Sequence, residues 1–284
     1  MNDRLTVSEL WHGTIAVVQR HFSSFAVIAA VTVLLPSLLG RLLFTELFEM
    51  AAMGKPMKAL PSGYWLYMLV YILATLVGMF SISAVAADAD EGGGQTMGAI
   101  VRGVLLAIGK AFLAGLLFMA VYGAAIIVVA VVIGIVVGGA ALVTSGGMAA
   151  GNTGSKTFAI VMIVLLTAVI FPLVIWASAR LAPLTGVYLR EPVGVVAGVK
   201  RAWALSKGSA WTIFKLVLVV AVLGFAPSAF QLGLVRMGFI GGVGGFLAAA
   251  AMGAVGALLF VYQAAGLGIL YRRLAELDAR ALAG

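Results

Sequence analysis

Residues 64–87 read YWLYMLVYILATLVGMFSISAVAA and contain no charged side chain. About 20 apolar residues in a row are enough to cross the hydrocarbon core of a bilayer as an α-helix. Inside that core every backbone N–H and C=O must be paired, which a uniformly apolar stretch achieves as a helix and not as a barrel strand of alternating polarity. This stretch therefore predicts an all-α integral membrane protein.

Further stretches of the same kind lie on both sides of residues 64–87. Together they predict six transmembrane helices, at Phe22–Leu43, Tyr64–Ala87, Ala111–Val143, Phe158–Ala179, Thr212–Val235 and Phe246–Tyr271. The third span is too long for a perpendicular crossing, and tilt, a break near Gly134–Gly139 or extension beyond the bilayer could each absorb the excess. Charged residues make up 10% of the chain, against roughly 25% in a soluble domain. We expect residues 1–284 to form a single polytopic membrane domain.

The basic residues are distributed unevenly between the two sides of this arrangement. With the N-terminus inside, only five of the 18 Lys and Arg residues fall outside, namely Arg41, Lys55, Lys58, Lys156 and Arg236. Because Lys and Arg concentrate in cytoplasmic loops, this bias predicts cytoplasmic N- and C-termini. The formal net charge of +8 then reflects asymmetry across a membrane and not a nucleic-acid-binding surface. Met1–Phe22 lacks the pattern of a cleaved signal peptide, and we expect it to stay attached.

An amphipathic stretch that ends near a basic residue precedes each odd-numbered span. The apolar residues, mostly at helical spacing, are Val7, Leu10, Trp11, Val17 and Val18 in the first stretch and Met97, Ile100, Val101, Val104, Leu105 and Ile108 in the second. In the third stretch, one face is shared by Val195, Val199, Ala202, Trp203 and Ser206. In the third, Lys200, Arg201 and Lys207 share the opposite face. The sequence therefore predicts three repeats of an amphipathic interfacial helix plus a transmembrane hairpin, at residues 5–88, 92–180 and 190–273.

A helix with one apolar face and one Lys/Arg face lies in the headgroup layer of a membrane, where each basic residue gains roughly 1 kcal/mol from anionic lipid. The predicted contacts with a lipid headgroup or a protein partner are Arg20, Lys110, Arg180, Arg190, Lys200, Arg201, Trp203, Lys207 and Trp211. The same stretches would also serve as plain connectors with cytosolic positive charge, an alternative that the sequence leaves open. A protein partner or a homo-oligomer is equally compatible with this surface.

Residues that hold metals or carry catalysis are scarce. The chain has no cysteine and only two histidines, His12 and His21, with no carboxylate pattern beside them. Asp88, Asp90 and Glu91 precede an amphipathic stretch, where a helix N-terminus favours negative charge, and we interpret them as a solvated turn and not as a cation site. The sequence predicts no enzyme activity, no cofactor, no metal site and no nucleic-acid partner.

Two other patterns resemble functional motifs only superficially. Gly151–Thr157 reads GNTGSKT, but the serine between Gly154 and Lys156 breaks the Gly-Lys-Ser/Thr order of a phosphate-binding loop. GxxxG spacings such as Gly134/Gly138 are interpreted as helix packing.

Ionisable residues are almost absent from the spans, which argues against an ion-coupled transporter. A small transporter or lipid-handling carrier for an apolar substrate remains the alternative function. Such a carrier needs a central cavity, and Gln231, Tyr262 and Gln263 are the nearest polar residues to line it.

Residues 179–214 read ARLAPLTGVYLREPVGVVAGVKRAWALSKGSAWTIF. This stretch resembles the bacterial membrane-domain family named after the membrane region of glycerophosphoryl diester phosphodiesterase, with its YciC-like relatives. The matching residues are Arg180, Leu181, Ala182, Pro183, Glu191, Lys200, Arg201, Ala202, Trp203, Leu205, Lys207, Gly208 and Trp211.

The resemblance implies a multipass protein of the bacterial inner membrane. The family's catalytic phosphodiesterase is a separate soluble barrel domain with an acid-rich, His-containing metal site. This chain has neither, so that activity is not carried over. We therefore expect a non-enzymatic inner-membrane protein that engages anionic lipid or a partner at the cytoplasmic face, in support of envelope homeostasis.

Overall fold

The computed structural model describes residues 5–52, 60–88, 103–117, 172–220, 222–223 and 242–283, with the single positions Val164 and Ala168. In this part of the chain 90% of the residues are helical and none is in a strand, so the predicted all-α class is confirmed. The helices are α1 (Val7–Arg20), α2 (Phe22–Leu43), α3 (Thr45–Ala52), α4 (Tyr64–Asp88), α5 (Gly103–Leu117), α6 (Pro172–Arg190), α7 (Val195–Leu205), α8 (Ala210–Val220) and α9 (Gly242–Ala283).

Four of the described helices, α2, α4, α6 and α9, are long and apolar enough to cross a membrane. The bounds of α2 and α4 agree with the predicted spans Phe22–Leu43 and Tyr64–Ala87. The 25 residues of α4 extend about 38 Å, enough for a hydrocarbon core of about 30 Å. Helices α7 and α8 are bent by 102° at a short break and form a fifth candidate when taken together.

The remaining predicted spans fall wholly or partly outside the described residues. These are Ala111–Val143, Phe158–Ala179 and Thr212–Val235, of which the structure describes mainly the ends that belong to α5, α6 and α8. The described part therefore contains four candidate spans, and the count of six stays a prediction. Gly134–Gly139, Gly151–Thr157, Asp90 and Glu91 also lie outside the described residues.

Two helices continue beyond the ends that hydropathy predicted. Helix α6 runs to Arg190 and not to Ala179, and α9 runs to Ala283 and not to Tyr271. A helix ends where its backbone hydrogen bonds stop, whereas an apolar stretch ends at the first charged residue. The 42 residues of α9 extend about 63 Å, roughly twice the hydrocarbon thickness, so its charged C-terminal part projects out of any membrane that the rest crosses.

The most extensive packing in the described part lies between α4 and α9, which run side by side in the same direction. The Ser83 hydroxyl donates to the Ala264 carbonyl at 2.7 Å. Next along both helices, Gly268 faces the Ser83 carbonyl and Ala87 so closely that an added Cβ would overlap them. We call this contact, with the small residues Ala86 and Ala265 beside it, the α4–α9 seam.

Helix α2 packs against α4 and runs in the opposite direction. The Tyr67 hydroxyl donates to the Pro36 carbonyl at 3.2 Å, and Thr32 packs where Gly78 leaves room for it. Just before Pro36, residues Ala30–Leu34 form a π turn in which the Leu35 N–H bonds to Ala30. Because proline has no N–H to continue the regular ladder, a local widening of the helix at this point accommodates it.

Candidate functional site

A network of charged and hydroxyl side chains joins α6, α7 and α9 at one end of the bundle. The Arg201 Nε donates to Glu191 at 3.3 Å, and its Nη1 lies 2.9 Å from an Asp278 carboxylate oxygen. The Tyr271 hydroxyl donates to the same Glu191 carboxylate at 3.1 Å. Burial acts to lower the pKa of the Arg201 guanidinium, but the hydrogen bond to Asp278 and the charges of Glu191 and Asp278 raise that pKa overall. Arg201 is therefore a permanent cation with two carboxylates already beside it.

A second ion pair lies close to this network and connects the end of α4 to the end of α6. Asp88 pairs with Arg190, and both side chains are less than a quarter exposed. The prediction of a solvated turn is therefore wrong for Asp88, because its partner lies across the fold and not in its own loop. We call these two groups, Asp88–Arg190 and Glu191–Arg201–Asp278–Tyr271, the polar network.

Arg180 lies between two tryptophan rings. Its guanidinium carbon is 5.4 Å from the centre of the Trp176 ring and 5.3 Å from that of Trp203, and the two rings meet edge to face. Its Nε and Nη1 atoms are buried and have no hydrogen-bond partner among the described residues. The aromatic faces attract the cation, which explains how an arginine is held within α6 instead of at the helix end.

Helix α7 has the predicted amphipathic form except at Trp203 and Arg201. Of the predicted apolar face, Ala202 and Ser206 are buried, whereas Trp203 is 39% exposed. Gly198, Ala202 and Leu205 are buried, and Lys200 is exposed. Arg201 was predicted to share the open face with Lys200 and Lys207, but it instead contacts Glu191 and Asp278. The exposed basic residues of α7 and of the turn that follows it are therefore Lys200 and Lys207.

The basic face continues onto α8 with an exposed aromatic residue. Trp211 is 67% exposed, stacks on Phe214 and has the Lys215 ammonium 5.8 Å from its ring centre. We call Lys200, Lys207, Trp211 and Lys215 the basic elbow, because they flank the bend between α7 and α8.

The other predicted contact residues lie on different helices. Arg20 is exposed at the end of α1, where Thr6 and Glu9 form the capping box of that helix. Lys110 is half-buried on α5, which buries Val104, Ala107 and Ile108. Leu105, predicted to share that apolar face, is 61% exposed instead.

A cavity of about 580 Å³ lies between α1, α6, α8 and α9. Its described walls are mostly apolar, and they include two of the three residues predicted to line a central cavity, Tyr262 and Gln263. Trp11 on α1 stacks on Tyr262 with their rings 6.5 Å apart. The third residue, Gln231, lies outside the described residues.

The two histidines have ordinary local surroundings. His12 Nδ1 lies 2.8 Å from the Ser8 carbonyl on the preceding turn of α1, and the His21 ring packs beside Phe25. Within the described ranges, no three side chains of the metal-binding types come together.

Comparisons of the chain with protein-family models, with curated proteins and with solved structures give no match. The family resemblance of residues 179–214 therefore stays a prediction.

Sequence reasoning missed most of the polar network. Glu191 entered only as part of the family pattern, and Tyr271 and Asp278 were not considered as site residues. Tyr271 and Glu191 are 80 residues apart, and Arg201 and Asp278 lie on separate helices. Helical periodicity relates only residues of one helix, so it could not pair them. The one available signal was the scarcity of acids: only 10 Asp and Glu accompany 18 Lys and Arg, so an isolated acid beside an apolar span was a candidate for pairing.

Proposed function

We propose that this chain is a non-enzymatic multipass protein of the bacterial inner membrane that binds anionic phospholipid through its basic elbow. The observation that carries this proposal is that some basic residues form contacts inside the protein while others are exposed. Arg180, Arg190 and Arg201 are engaged inside the protein, whereas Lys200 and Lys207 are exposed beside the exposed Trp211 ring. Exposed lysines next to tryptophan are typical of a surface at the level of lipid headgroups.

Six spans with both termini in the cytoplasm are part of this proposal. Helices α4, α6 and α9 all reach the polar network with their C-terminal parts, whereas α2 runs the other way against α4. A chain whose second, fourth and sixth spans run in one direction must return between them, and α5 and α8 lie in those two intervals. The basic elbow lies near the end to which these helices run, which favours the cytoplasmic side for that end.

The threefold repeat and the family resemblance are also retained as proposals. Each of α1, α5 and α7 is a short helix that buries one stripe of residues, as a repeated interfacial element would. Within residues 179–214, the pattern residues form two contacts, Arg180 with Trp203 and Glu191 with Arg201, which join the α6 side of the stretch to α7. Support of envelope homeostasis is the role that this proposal assigns to lipid binding.

The test compares lipids retained by the purified protein with those retained by the variant Lys200→Gln/Lys207→Gln. At roughly 1 kcal/mol for each basic residue, the preference for phosphatidylglycerol over phosphatidylethanolamine falls about 30-fold in the variant. Native mass spectrometry of the detergent-solubilised protein, titrated with each lipid, measures this preference. Raising the salt concentration weakens the wild-type preference, because exposed charges are screened.

Arg41→Gln is the control, since it removes a positive charge near the C-terminal end of α2, at the end of the bundle away from the basic elbow. It leaves the lipid preference unchanged. An equal preference in wild type and in Lys200→Gln/Lys207→Gln would overturn the proposal. Retention of a protein partner or a second copy that is lost in the lysine variant would assign the elbow to protein binding instead.

A second candidate function, a lipid-handling carrier, is favoured by the cavity between α1, α6, α8 and α9. The experiment is dithionite bleaching of a fluorescent lipid in proteoliposomes. A carrier exposes lipid of the inner leaflet to the reagent and bleaches more than half of the fluorescence, whereas protein-free vesicles bleach about half. Identical traces with and without protein would remove this candidate.

A further inference from the structure

The cavity between α1, α6, α8 and α9 has the size and the wall chemistry of a binding site. Its volume of about 580 Å³ lies within the range of about 300–1,000 Å³ that small-molecule sites occupy. Ile15, Ile213, Leu216, Val217 and Leu270 supply branched apolar side chains from three of the four helices. An apolar chain fits such a wall better than a polar molecule does, because its burial against these side chains removes apolar surface from water.

Apart from Thr14, whose hydroxyl donates to the Leu10 carbonyl, three polar side chains interrupt this apolar wall. Gln263, Ser178 and Tyr262 line the cavity, and their polar atoms form no hydrogen bond with other described residues. Gln263 and Ser178 are exposed where the cavity opens, and Tyr262 is half-buried. In a membrane, an exposed amide that faces hydrocarbon is costly unless a partner satisfies it. A bound molecule that brings its own hydroxyl or carbonyl group to Gln263 removes that cost.

Charge narrows the class of molecule further. None of the described wall residues is Lys, Arg, Asp or Glu. An anionic or cationic head group buried here would lose its hydration without gaining an ion pair, which disfavours it strongly. The cavity therefore differs in kind from the basic elbow, which offers exposed positive charge.

We propose that this cavity binds a single apolar chain that carries an uncharged, hydrogen-bonding head group, the chemistry of a monoacylglycerol. The chain lies against the branched residues of α1 and α8, and the head group meets Gln263 and Ser178. Trp11, stacked on Tyr262, forms the wall on the α1 side. This site is independent of the anionic lipid bound at the elbow.

The experiment uses photoactivatable monooleoylglycerol with the full-length protein in detergent, followed by mapping of the labelled peptides. Labelling is saturable and falls on α1, α6, α8 or α9 at wall residues. Unlabelled monooleoylglycerol competes for the label at least tenfold better than lysophosphatidylglycerol, which has a similar chain and an anionic head. Equal competition by the two, or labelling only on outward-facing residues, would overturn the proposal.

Two variants test the geometry of the site. Ser178→Phe places a ring in the cavity and lowers labelling at least tenfold, whereas Val174→Phe, which places the same ring at another exposed residue of α6 that does not line the cavity, leaves labelling unchanged. Gln263→Leu weakens competition by monooleoylglycerol about tenfold but leaves competition by hexadecane, which has no head group, unchanged. Equal labelling of the two phenylalanine variants contradicts the site.

The outcome is separable from that of the proposed function. Lys200→Gln/Lys207→Gln removes the preference for anionic lipid but leaves monooleoylglycerol labelling unchanged. If that variant lost both the preference for anionic lipid and the monooleoylglycerol labelling, the proposal of a second, independent site would be overturned.

Discussion

Helix α9 presents two faces that are packed in opposite ways. Toward α4 it places Ala264, Ala265 and Gly268, and the two backbones approach so closely that Gly268 contacts the Ser83 carbonyl. Toward α1, α6 and α8 it places larger side chains, including Leu259 and Leu270, and there a cavity of about 580 Å³ remains. One helix thus forms both a close backbone contact and a wall of the cavity.

The difference shows what holds helices together when lipid, and not water, surrounds them. Apolar side chains gain nothing from leaving lipid for another helix, so close packing of small residues and hydrogen bonds between helices provide the attraction. The α4–α9 seam has both, in its small residues and in the bond from Ser83 to the Ala264 carbonyl. The cavity side has larger side chains, which leave space between the helices beside their contacts.

The largest effect is expected from breaking the seam. Gly268→Val forces a branched side chain against the Ser83 carbonyl and Ala87, and overpacking of this kind costs about 3 kcal/mol of stability. The unfolding midpoint of the detergent-solubilised protein measures the loss. Gly256→Val is the control, since an added Cβ there meets no atom within 4 Å. Equal midpoints for the two variants would show that the seam does not carry the stability assigned to it.

An intermediate effect is expected from breaking the ion pair between the ends of α4 and α6. Asp88 at the end of α4 pairs with Arg190 at the end of α6, and both are mostly buried. Asp88→Asn leaves Arg190 without its counter-ion and costs about 2 kcal/mol, somewhat less than the loss of one partner from a fully buried pair.

A double-mutant cycle with Arg190→Gln checks the Asp88–Arg190 pair, because a real interaction makes the two losses less than additive. Strict additivity of the unfolding free energies would refute the pair.

The smallest effect is expected from filling the cavity. Ser178→Phe projects into open space, so the free energy of unfolding changes by no more than about 0.5 kcal/mol, although the side chain grows far more than in Gly268→Val. The same unfolding assay, without added lipid, measures it. A loss as large as that of Gly268→Val would mean that the cavity side is packed as tightly as the seam.

The spans were the most predictable feature, because they depend on local composition. Phe22–Leu43 and the span from Tyr64 were predicted with nearly the bounds that the structure has. Beyond the predicted span ends at Ala179 and Tyr271, α6 and α9 continue as helices through charged residues whose partners lie elsewhere in the fold. Arg180 shows this most clearly: its charge ends an apolar stretch, but Trp176 and Trp203 allow it to remain inside a helix.

Site residues were predicted less well than spans. Helical periodicity identified the exposed positions Lys200 and Lys207. It also placed Arg201 on their face and the exposed Trp203 on the apolar face, and both assignments were wrong. Periodicity reports which residues of one helix lie together, not what stands opposite them. Tyr262 and Gln263 were predicted as cavity-lining residues because polar side chains inside a span are rare, and the structure places both in the cavity wall.

The glycine residues also show that a sequence pattern does not identify which residues make close contacts. The GxxxG spacing Gly134/Gly138 stood out as a pattern, whereas the glycines with close contacts in the described part include Gly78, Gly186 and Gly268. With 36 glycines in the chain, spacing alone does not distinguish a contact from coincidence.

By itself, the sequence determined that this chain is helical and apolar enough for a membrane, because the length and polarity of each segment are set by its own residues and by the solvent that they must match. The tertiary structure alone decided which charges are paired, which glycines are contacts and where space remains. Those properties depend on residues that are distant in sequence and adjacent only after folding, so no local pattern contains them.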